Sequence, residues 1–353
     1  MRPSQVITIC FLHVLIQVDS QHQIVKCGRL GLTNLTPFLT RSSSATHHWP
    51  WHAAIYHLEN KQNYQCGGSL ISSKSVLTAG HCVTVGNVQM DVEKVSVSLG
   101  RLNLDINENS VQSFGASEIF VHPDYNTIDY VNDIAIIILS ADAIFNNYVQ
   151  PICLWKPDRT DLSEIVGKFG TVVGWGLTEN GVKSNVLQQA SFPVVKSLLC
   201  LKSNPAFFGD ILSETNFCAG TRNGTGACQG DSGGSITFEE NGIYYIRGIV
   251  SVGQGKVNLI TQKIDCDAMQ YVVFTDVAKY LSWIKTTLGD KPELSSESTP
   301  QNVPQLSTEL TPQGCLANGT VCQADGGLGY CCSGFCYQWA GYSRGFCQTP
   351  PSS

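Results

Sequence analysis

Charged residues are scarce in this chain. They make up 14% of its 353 residues, against 42% hydrophobic residues, and no acidic or basic block concentrates them. The net charge of −6 argues against nucleic acid or an anionic membrane as the main partner. Beyond residue 20, no apolar run is long enough to cross a bilayer. The composition is therefore that of a folded globular protein.

Cysteine, by contrast, is abundant, with 15 residues. Cys10 lies in the apolar run "ITICFLHVLIQVDS", which follows Met1 and Arg2 and ends at the small residue Ser20. This pattern predicts a secretory signal peptide over residues 1–20, and a retained signal anchor is the alternative. Without Cys10 an even number of cysteines remains, which in a secreted chain predicts a complete set of disulfides.

Composition divides the remaining chain into four parts. Residues 21–38 are polar and turn-rich, and residues 39–288 hold short alternating apolar runs between turn clusters, which predict an all-β sandwich or barrel. Near the end of that region, "VFTDVAKYLSWIKTTLG" predicts a helix, because apolar residues recur at three- and four-residue steps before Gly289. Residues 289–314, rich in Ser, Thr and Pro, predict a flexible linker. Residues 315–347 hold six cysteines and are too few to fold without covalent staples.

Three short motifs carry catalytic residue types. "TAGHC" contains His81, "VNDIAIIIL" places Asp133 before a strongly apolar strand, and "GDSGG" contains Ser232. Each motif alone has a structural explanation: a histidine beside a disulfide, an aspartate capping a strand, a glycine turn. A serine hydroxyl becomes a nucleophile only when a base takes its proton and a third group orients that base. The order His, Asp, Ser in a β-rich chain therefore predicts a catalytic triad.

The glycines around Ser232 have a matching explanation. They leave the backbone N–H groups of Gly230 and Ser232 free to point at one spot, where negative charge develops on a tetrahedral intermediate. These two groups are the predicted oxyanion hole.

The sequence resembles the chymotrypsin-like serine proteases across the whole region 39–288. The resemblance rests on "HWPWHAAIYH", "CGGSLISSKSVLTAGHC", "HPDYNTIDYVNDIAI", "VVGWG", "NFCAG", "CQGDSGG" and "YLSWI". It implies an all-β fold of two six-stranded antiparallel barrels with the active site between them. It also implies that His81 is the general base, Asp133 its orienting partner and Ser232 the nucleophile. Ser251 is then expected to hydrogen-bond the buried aspartate, and Gly253 to pair with the substrate backbone.

The resemblance also implies a set of disulfides in this region: Cys27–Cys153, Cys66–Cys82, Cys200–Cys218 and Cys228–Cys266. A further bridge common in the family is missing at both ends, since its positions hold Gly170 and Phe238. The Cys27–Cys153 pair resembles the tether that keeps a propeptide attached after activation. With the cysteines paired, no Cys/His set remains for a metal, and Arg101 stands where calcium-binding relatives carry an acid. We therefore expect neither metal nor cofactor.

Activation departs from the family pattern. Relatives are cut before an Ile-Val-Gly-Gly-like start, whose new amino group pairs with the aspartate beside the nucleophile, here Asp231. This chain reads "NLTPFLTRSSSATHHWPW" instead, so the new terminus falls at Phe38 or Leu39. Since cleavage after a proline is disfavoured, we expect a cut between Phe38 and Leu39, made by a chymotrypsin-like enzyme or by this protein itself.

The specificity pocket lacks the aspartate of trypsin-like relatives, because that position is Gly226 and the next is Ala227. Gly253 leaves the entrance open, and Val272 takes a wall position that relatives often fill with glycine. The pocket is therefore expected to accept apolar residues, medium-sized ones best, and to reject Arg and Lys.

The C-terminal cysteines resemble an inhibitor cystine knot. That resemblance implies the pairs Cys315–Cys332, Cys322–Cys336 and Cys331–Cys347, although six cysteines permit fifteen connectivities. The module also carries aromatic residues that form either a binding face or a cover over the disulfides: Tyr337, Trp339, Tyr342 and Phe346. Sequons at Asn34, Asn223 and Asn318 suit a secreted glycoprotein.

Two hypotheses of different class follow. The first is a secreted endopeptidase that resembles arthropod modular serine proteases of innate immunity. It would act on protein substrates such as a downstream zymogen, dock a recognition protein through the knot, and be controlled by serpin-type inhibitors. The second is a venom-type or other non-catalytic binding protein in which the knot is the working part. The intact His81, Asp133 and Ser232 favour the first.

Overall fold

A computed structural model describes residues 27–30, 43–44, 49–58, 62–106, 108–177, 182–257 and 264–289, with three short strands near the C-terminus. Several predictions fall outside these residues: the signal peptide, the cleavage site at Phe38 and Leu39, the sequons at Asn34 and Asn318, the linker, and the disulfides and aromatic side chains of the cysteine-rich module.

The first part of the chain forms a closed barrel. The strands of this part of the chain are, in order, Ser43–Ser44 (β1), His52–Leu58 (β2), Gln62–Leu70 (β3), Ser75–Thr78 (β4), Thr84–Val85 (β5), Val88–Gln89 (β6), Val95–Leu99 (β7), Gln112–Val121 (β8) and Ala135–Leu139 (β9). Six of them form the barrel. The barrel order is β2-β3-β4-β9-β8-β7, with β7 pairing back to β2 and every pair antiparallel. Its interior is filled by fully buried aliphatic side chains, among them Ile55, Leu77, Val97, Leu99 and Ile137.

The second part forms a similar barrel. The strands of this part of the chain are Cys153–Leu154 (β10), Phe169–Gly174 (β11), Gln188–Val195 (β12), Asn216–Ala219 (β13), Ser235–Glu240 (β14), Ile243–Gly253 (β15), Gly255–Val257 (β16), Ile264–Cys266 (β17) and Val272–Asp276 (β18). Six of them form the barrel. Strands β12-β11-β14-β15-β18-β13 pair antiparallel in that order, and β13 pairs back to β12. Phe217 and Phe274 stack at its centre, with ring centroids 5.6 Å apart. The predicted pair of six-stranded barrels is confirmed within the described residues.

Helices are few in the described residues. The predicted C-terminal helix is present over Leu281–Thr287 (α3), preceded by a 3-10 turn over Val277–Lys279, so the regular helix starts one turn later than the pattern suggested. The sequence analysis missed two further helices, Ser197–Ser203 (α1) and Pro205–Ile211 (α2). Other 3-10 turns span Gly80–Val83, Val92–Lys94 and Leu162–Glu164. In the C-terminal module, Val321–Cys322 (β19), Cys336–Gln338 (β20) and Gly345–Cys347 (β21) form an antiparallel sheet in the order β19-β21-β20.

Disulfides join four cysteine pairs among the described residues: Cys27–Cys153, Cys66–Cys82, Cys200–Cys218 and Cys228–Cys266. They are the pairs that the family resemblance implies. Where the further bridge of the family would lie, Gly170 of β11 faces Phe238 of β14. A methyl group on Gly170 would lie 2.8 Å from the tip of the Phe238 ring. An aromatic ring packed on a glycine thus fills the space of the missing bridge.

Arg101 holds the loop that follows β7. Its Nη1 donates to the carbonyl oxygens of Asn103, Leu104 and Ile106, at 3.3, 3.2 and 3.0 Å. A guanidinium is permanently charged and carries several donors, so it can satisfy a ring of carbonyls as a bound cation would.

A buried ion pair lies in the second barrel. The side chains of Arg247 and Asp276 are 0% and 2% exposed, and Arg247 Nε donates to Asp276 Oδ1 at 2.8 Å. The guanidinium also donates to the carbonyls of Arg159 and Thr160 and lies 4.9 Å from the Trp155 ring centroid. The pair therefore connects strands β15 and β18 to the segment that follows β10.

Replacing Arg247 by methionine is expected to destabilise the protein by about 3–5 kcal/mol, because it leaves the Asp276 carboxylate buried without its partner. Urea unfolding followed by tryptophan fluorescence measures this loss. The matched control is Lys94→Met, which removes the exposed Lys94–Asp91 pair and should cost well below about 1 kcal/mol. Equal losses in the two variants would contradict this assignment.

Candidate active site

Asp133 lies at the centre of the site. Its side chain is fully buried, and Oδ2 accepts hydrogen bonds from His81 Nδ1 at 2.8 Å and from Ser251 Oγ at 2.6 Å. Its Oδ1 accepts from the backbone N–H of His81 at 2.9 Å. Since a carboxylate only accepts, the His81 proton resides on Nδ1. This tautomer leaves Nε2 of His81 unprotonated, so that its lone pair can act as a base; its recorded neighbour is Cys82 Sγ, 3.8 Å away.

The electrostatics of His81 suit that role. Burial lowers the pKa of the imidazole, but the charge of Asp133 and its hydrogen bond outweigh burial, so that the pKa is raised overall. A base with a raised pKa is better able to hold the proton that it removes from a nucleophile.

Asp133 also joins the two barrels. It lies two residues before the start of β9 of the first barrel, while Ser251 belongs to β15 and Thr275 to β18 of the second. Thr275 Oγ1 donates to the Asp133 carbonyl at 2.9 Å. The sequence analysis predicted the Ser251 contact from the resemblance but did not identify Thr275, since a threonine within an apolar strand gives no functional signal.

The turn that carries Ser232 packs against the first barrel. The Gly67 N–H donates to the Ser232 carbonyl at 2.8 Å. A methyl group on Gly233 would lie 2.2 Å from Thr78 Oγ1 and 3.1 Å from Cys82 Sγ, so only glycine fits there. These contacts place Ser232 beside the His81–Cys82 segment, although the described contacts include no hydrogen bond between the Ser232 hydroxyl and His81. Catalytic hydrogen bonds are often long in structures without substrate.

Asp231 is a second buried carboxylate. Oδ1 accepts from Gly176 N at 2.9 Å and Oδ2 from Cys228 N at 2.8 Å. Burial raises the pKa of Asp231 to about 6, and those two N–H groups and the charge of Lys183 oppose the rise. A methyl group on Gly176 would lie 2.2 Å from Asp231 Oδ2, so glycine in the "VVGWG" motif makes room for the carboxylate.

Of the predicted pocket residues, Ala227, Gly253 and Val272 lie close together. A methyl group on Gly253 would be 3.8 Å from Val272 Cγ2 and 3.8 Å from the Ala227 carbonyl. One on Gly226 would be 3.1 Å from Cα and Cβ of Ala268. None of these residues carries a charge. Their side chains are small and apolar or absent.

Two predicted features outside the pocket can be placed as well. Asn223 is exposed on a turn, where its Oδ1 accepts from Thr225 N at 3.2 Å. In the described part of the chain, one cluster combines metal-ligating residue types: Cys66, His81 and Cys82. The two sulfur atoms are bonded to each other. They are therefore not available as thiolate ligands.

Comparison with known proteins gives two family matches. The model of the trypsin family matches residues 39–284, and that of antifungal peptides matches residues 316–348. In the part of the chain that the structure describes, no helix has the length and apolar character needed to cross a membrane.

Several curated proteins are similar to this chain. Serine protease gd of Drosophila melanogaster is 32% identical over 280 residues, which cover 70% of this chain and 51% of that protein. Clotting factor C of Tachypleus tridentatus is 35% identical over 277 residues, covering 73% of this chain and 26% of that protein. Chymotrypsin-C of Bos taurus is 33% identical over 284 residues, covering 73% of this chain and 99% of that protein. The chain thus spans about half of the fly protein and a quarter of the clotting factor.

Asp133→Asn is expected to lower kcat/KM by about four orders of magnitude, because it removes the group that orients His81. It also removes the charge that raises the pKa of His81, so the acid limb of the pH–rate profile should move to lower pH. Steady-state kinetics across the pH range measures both effects. Asp124→Asn, an exposed acid of the same segment, is the control and should change neither. An unmoved acid limb in Asp133→Asn would argue against His81 as the titrating base.

Proposed function

The chain belongs to the trypsin family of serine proteases, and from this membership we propose that it is a secreted serine endopeptidase made as a zymogen. In this proposal His81 is the general base, Asp133 orients it, Ser232 attacks the scissile carbonyl, and the N–H groups of Gly230 and Ser232 receive the developing oxyanion. The observation that carries the proposal is the hydrogen-bonded His81–Asp133 pair, whose geometry leaves the proton on Nδ1 and the lone pair on Nε2.

The reaction follows from these groups. His81 Nε2 takes the hydroxyl proton as Ser232 Oγ bonds to the substrate carbonyl carbon, and the carbonyl electrons move onto oxygen. The protonated His81 is stabilised by Asp133 and then gives its proton to the leaving amine as the peptide bond breaks. Water repeats the sequence on the acyl-enzyme and restores Ser232.

We propose apolar specificity on the basis of the pocket walls. Arg and Lys side chains would enter a space in which Gly226, Ala227 and Val272 offer no counter-charge, and a buried unpaired cation is costly. Val272 Cγ2 would lie 3.8 Å from a methyl group on Gly253, and in this proposal the Val272 side chain shortens the slot. Leucine- or valine-sized residues then fit better than large aromatic ones.

Cleavage of a peptide library tests this specificity, with Val272→Gly as the diagnostic variant. The wild type should cut after medium-sized apolar residues and not after Arg or Lys, while Val272→Gly should shift the preference toward Phe and Tyr because the slot deepens. Val273→Ala is the control, since Val273 packs in a separate cluster with Leu212 and Tyr271. Cleavage by the wild type after Arg would refute the proposal.

We propose that residues 21–38, the propeptide or light chain, stay attached to the catalytic domain after activation. Cys27 is bonded to Cys153, the Gly28 N–H donates to the Pro151 carbonyl at 2.8 Å, and the Tyr244 N–H donates to the Gly28 carbonyl at 2.7 Å. A cut between Phe38 and Leu39 would therefore leave residues 21–38 bound to the catalytic domain. The new ammonium group would pair with Asp231 and lower the pKa of that carboxyl.

N-terminal sequencing of the active two-chain form tests this route. The heavy chain should begin Leu-Thr-Arg-Ser, and both chains should separate only after reduction, because the disulfide is their covalent link. A heavy chain that begins after Arg41, or one that separates without reductant, would contradict the proposal.

The C-terminal module is proposed to localise the protease in an extracellular cascade. Its match to antifungal peptides favours a microbial surface, or a recognition protein bound there, as the docking partner. The similarity to clotting factor C favours a role in an extracellular cascade. In that role we propose a downstream zymogen as a substrate and serpin-type inhibitors as regulators. A purely binding function, with the module as the working part, is the alternative, and it would be favoured only by a correctly processed chain that cleaves no peptide.

A further inference from the structure

Tyr64 is a buried tyrosine of β3 whose hydroxyl reaches the nucleophile turn. The residue is 7% exposed, and its ring packs edge-on against Trp175 and Tyr56, with centroids 5.5 and 5.9 Å away. Its hydroxyl donates to the carbonyl oxygen of Gly230. That carbonyl is part of the residue whose N–H the proposed oxyanion hole uses.

Gly230 needs to be held from outside. Its φ is +100°, in the region that glycine enters freely, so its own backbone imposes little restraint. The Leu177 N–H donates to the Gln229 carbonyl at 3.1 Å and fixes the preceding peptide plane. In a trans peptide the Gly230 N–H points away from that carbonyl. Two bonds hold the following plane: the Asp231 N–H donates to the Cys228 carbonyl at 2.8 Å, and the Tyr64 hydroxyl donates to the Gly230 carbonyl. Gly230 is therefore clamped on both sides.

Further contacts hold Tyr64 in position. Lys183 Nζ donates to the Tyr64 carbonyl at 3.2 Å and lies 5.5 Å from the centroid of the Tyr64 ring. Lys183 also forms an antiparallel bridge with Leu177. Tyr64, Lys183 and Leu177 are therefore parts of one connected unit around Gly230.

The hydroxyl is a permanent donor in this setting. Burial, followed by the charge of Asp231, raises the pKa of Tyr64 well above its ordinary value. A carbonyl oxygen can only accept a hydrogen bond. The contact with Gly230 therefore persists at every pH at which a protease of this kind works.

We propose that Tyr64 is a positioning residue for the oxyanion hole: its hydroxyl holds the Gly230 carbonyl and thereby keeps the Gly230 N–H aimed at the substrate oxygen. This inference rests on the proposed function of Gly230 as an oxyanion donor. Oxyanion contacts form fully only in the transition state. Loss of the clamp should therefore reduce kcat and leave substrate binding intact.

Tyr64→Phe tests the proposal, because it deletes the hydroxyl and keeps the ring packing. The matched control is Tyr56→Phe, the neighbouring tyrosine of the same aromatic cluster, which is also 7% exposed. Each protein is assayed with a peptide p-nitroanilide carrying an apolar residue at the cleaved bond. Affinity is measured for the corresponding peptide aldehyde, whose hemiacetal oxygen occupies the oxyanion hole, and for the peptide alcohol, which forms no adduct. Thermal unfolding verifies the fold of both variants.

In Tyr64→Phe, kcat and aldehyde affinity should each fall on the order of tenfold, less than the 10²–10³ reported for direct loss of an oxyanion donor. KM and alcohol affinity should stay within about twofold, as expected for an interaction made only in the transition state. Tyr56→Phe should change none of these quantities. Unchanged kcat and aldehyde affinity in Tyr64→Phe, or the same losses in Tyr56→Phe, would overturn the inference.

An assay of the wild-type enzyme distinguishes a failure of the Tyr64 inference from a failure of the proposed function. A burst of one p-nitrophenol per enzyme from an activated ester reports a working nucleophile. If the wild type shows the burst and Tyr64→Phe matches it in every assay, only the role of Tyr64 is refuted. If the correctly cut wild type shows no burst, the proposed function itself fails, and with it the inference that rests on it.

Discussion

The buried carboxylate of Asp133 is the interaction on which the rest of the site depends. A carboxylate removed from water is strongly destabilised unless hydrogen-bond donors replace the water. Here the donors come from the His81 ring and backbone and from the Ser251 hydroxyl. Because His81 belongs to the first barrel and Ser251 to the second, satisfying this one charge requires the two barrels to meet in a single arrangement. The contact between the two barrels and the hydrogen-bonded His81–Asp133 pair therefore form together.

The buried carboxylate of Asp231 is surrounded by a different set of hydrogen-bond donors. Its oxygens accept from two backbone N–H groups, and its pKa is nevertheless raised to about 6. Burial therefore outweighs the donors around it in the described structure. A nearby cation would lower this pKa and stabilise the charged form. This is the electrostatic basis for proposing that a newly formed ammonium group switches the enzyme on by pairing with Asp231.

The parts of the fold that the sequence predicted well are those with local signatures. The "GHC" and "VND" motifs drew attention to His81 and Asp133, which are hydrogen-bonded to each other. The alternating apolar runs predicted an all-β sandwich or barrel, and the family resemblance implied the two barrels. The cysteine pairs followed from the family resemblance. Gly170 and Phe238, which lack the usual bridge, are in direct contact. This contact shows how two linked substitutions, visible in the sequence, are compatible with one packed core.

The parts that the sequence analysis missed depend on distant contacts. Helices α1 and α2 are seven residues each, too short for a clear helical period, and are stabilised by packing around Leu201 and Phe208. Tyr64 and Thr275 look like ordinary strand residues, because each acquires its role from a residue more than 100 positions away. Strands β16 and β17, which follow Gly253, form an antiparallel pair that no pattern in the sequence indicated. Tertiary contacts of this kind carry no local pattern.

The most direct measurement is covalent labelling of the two-chain protein with a fluorophosphonate, followed by mass mapping, with the labelling rate recorded against pH. The account predicts a single label on Ser232, a rate that falls as His81 becomes protonated, and no label on the uncut chain. Label on another residue, or its absence from folded and correctly cut protein, would contradict the catalytic assignment.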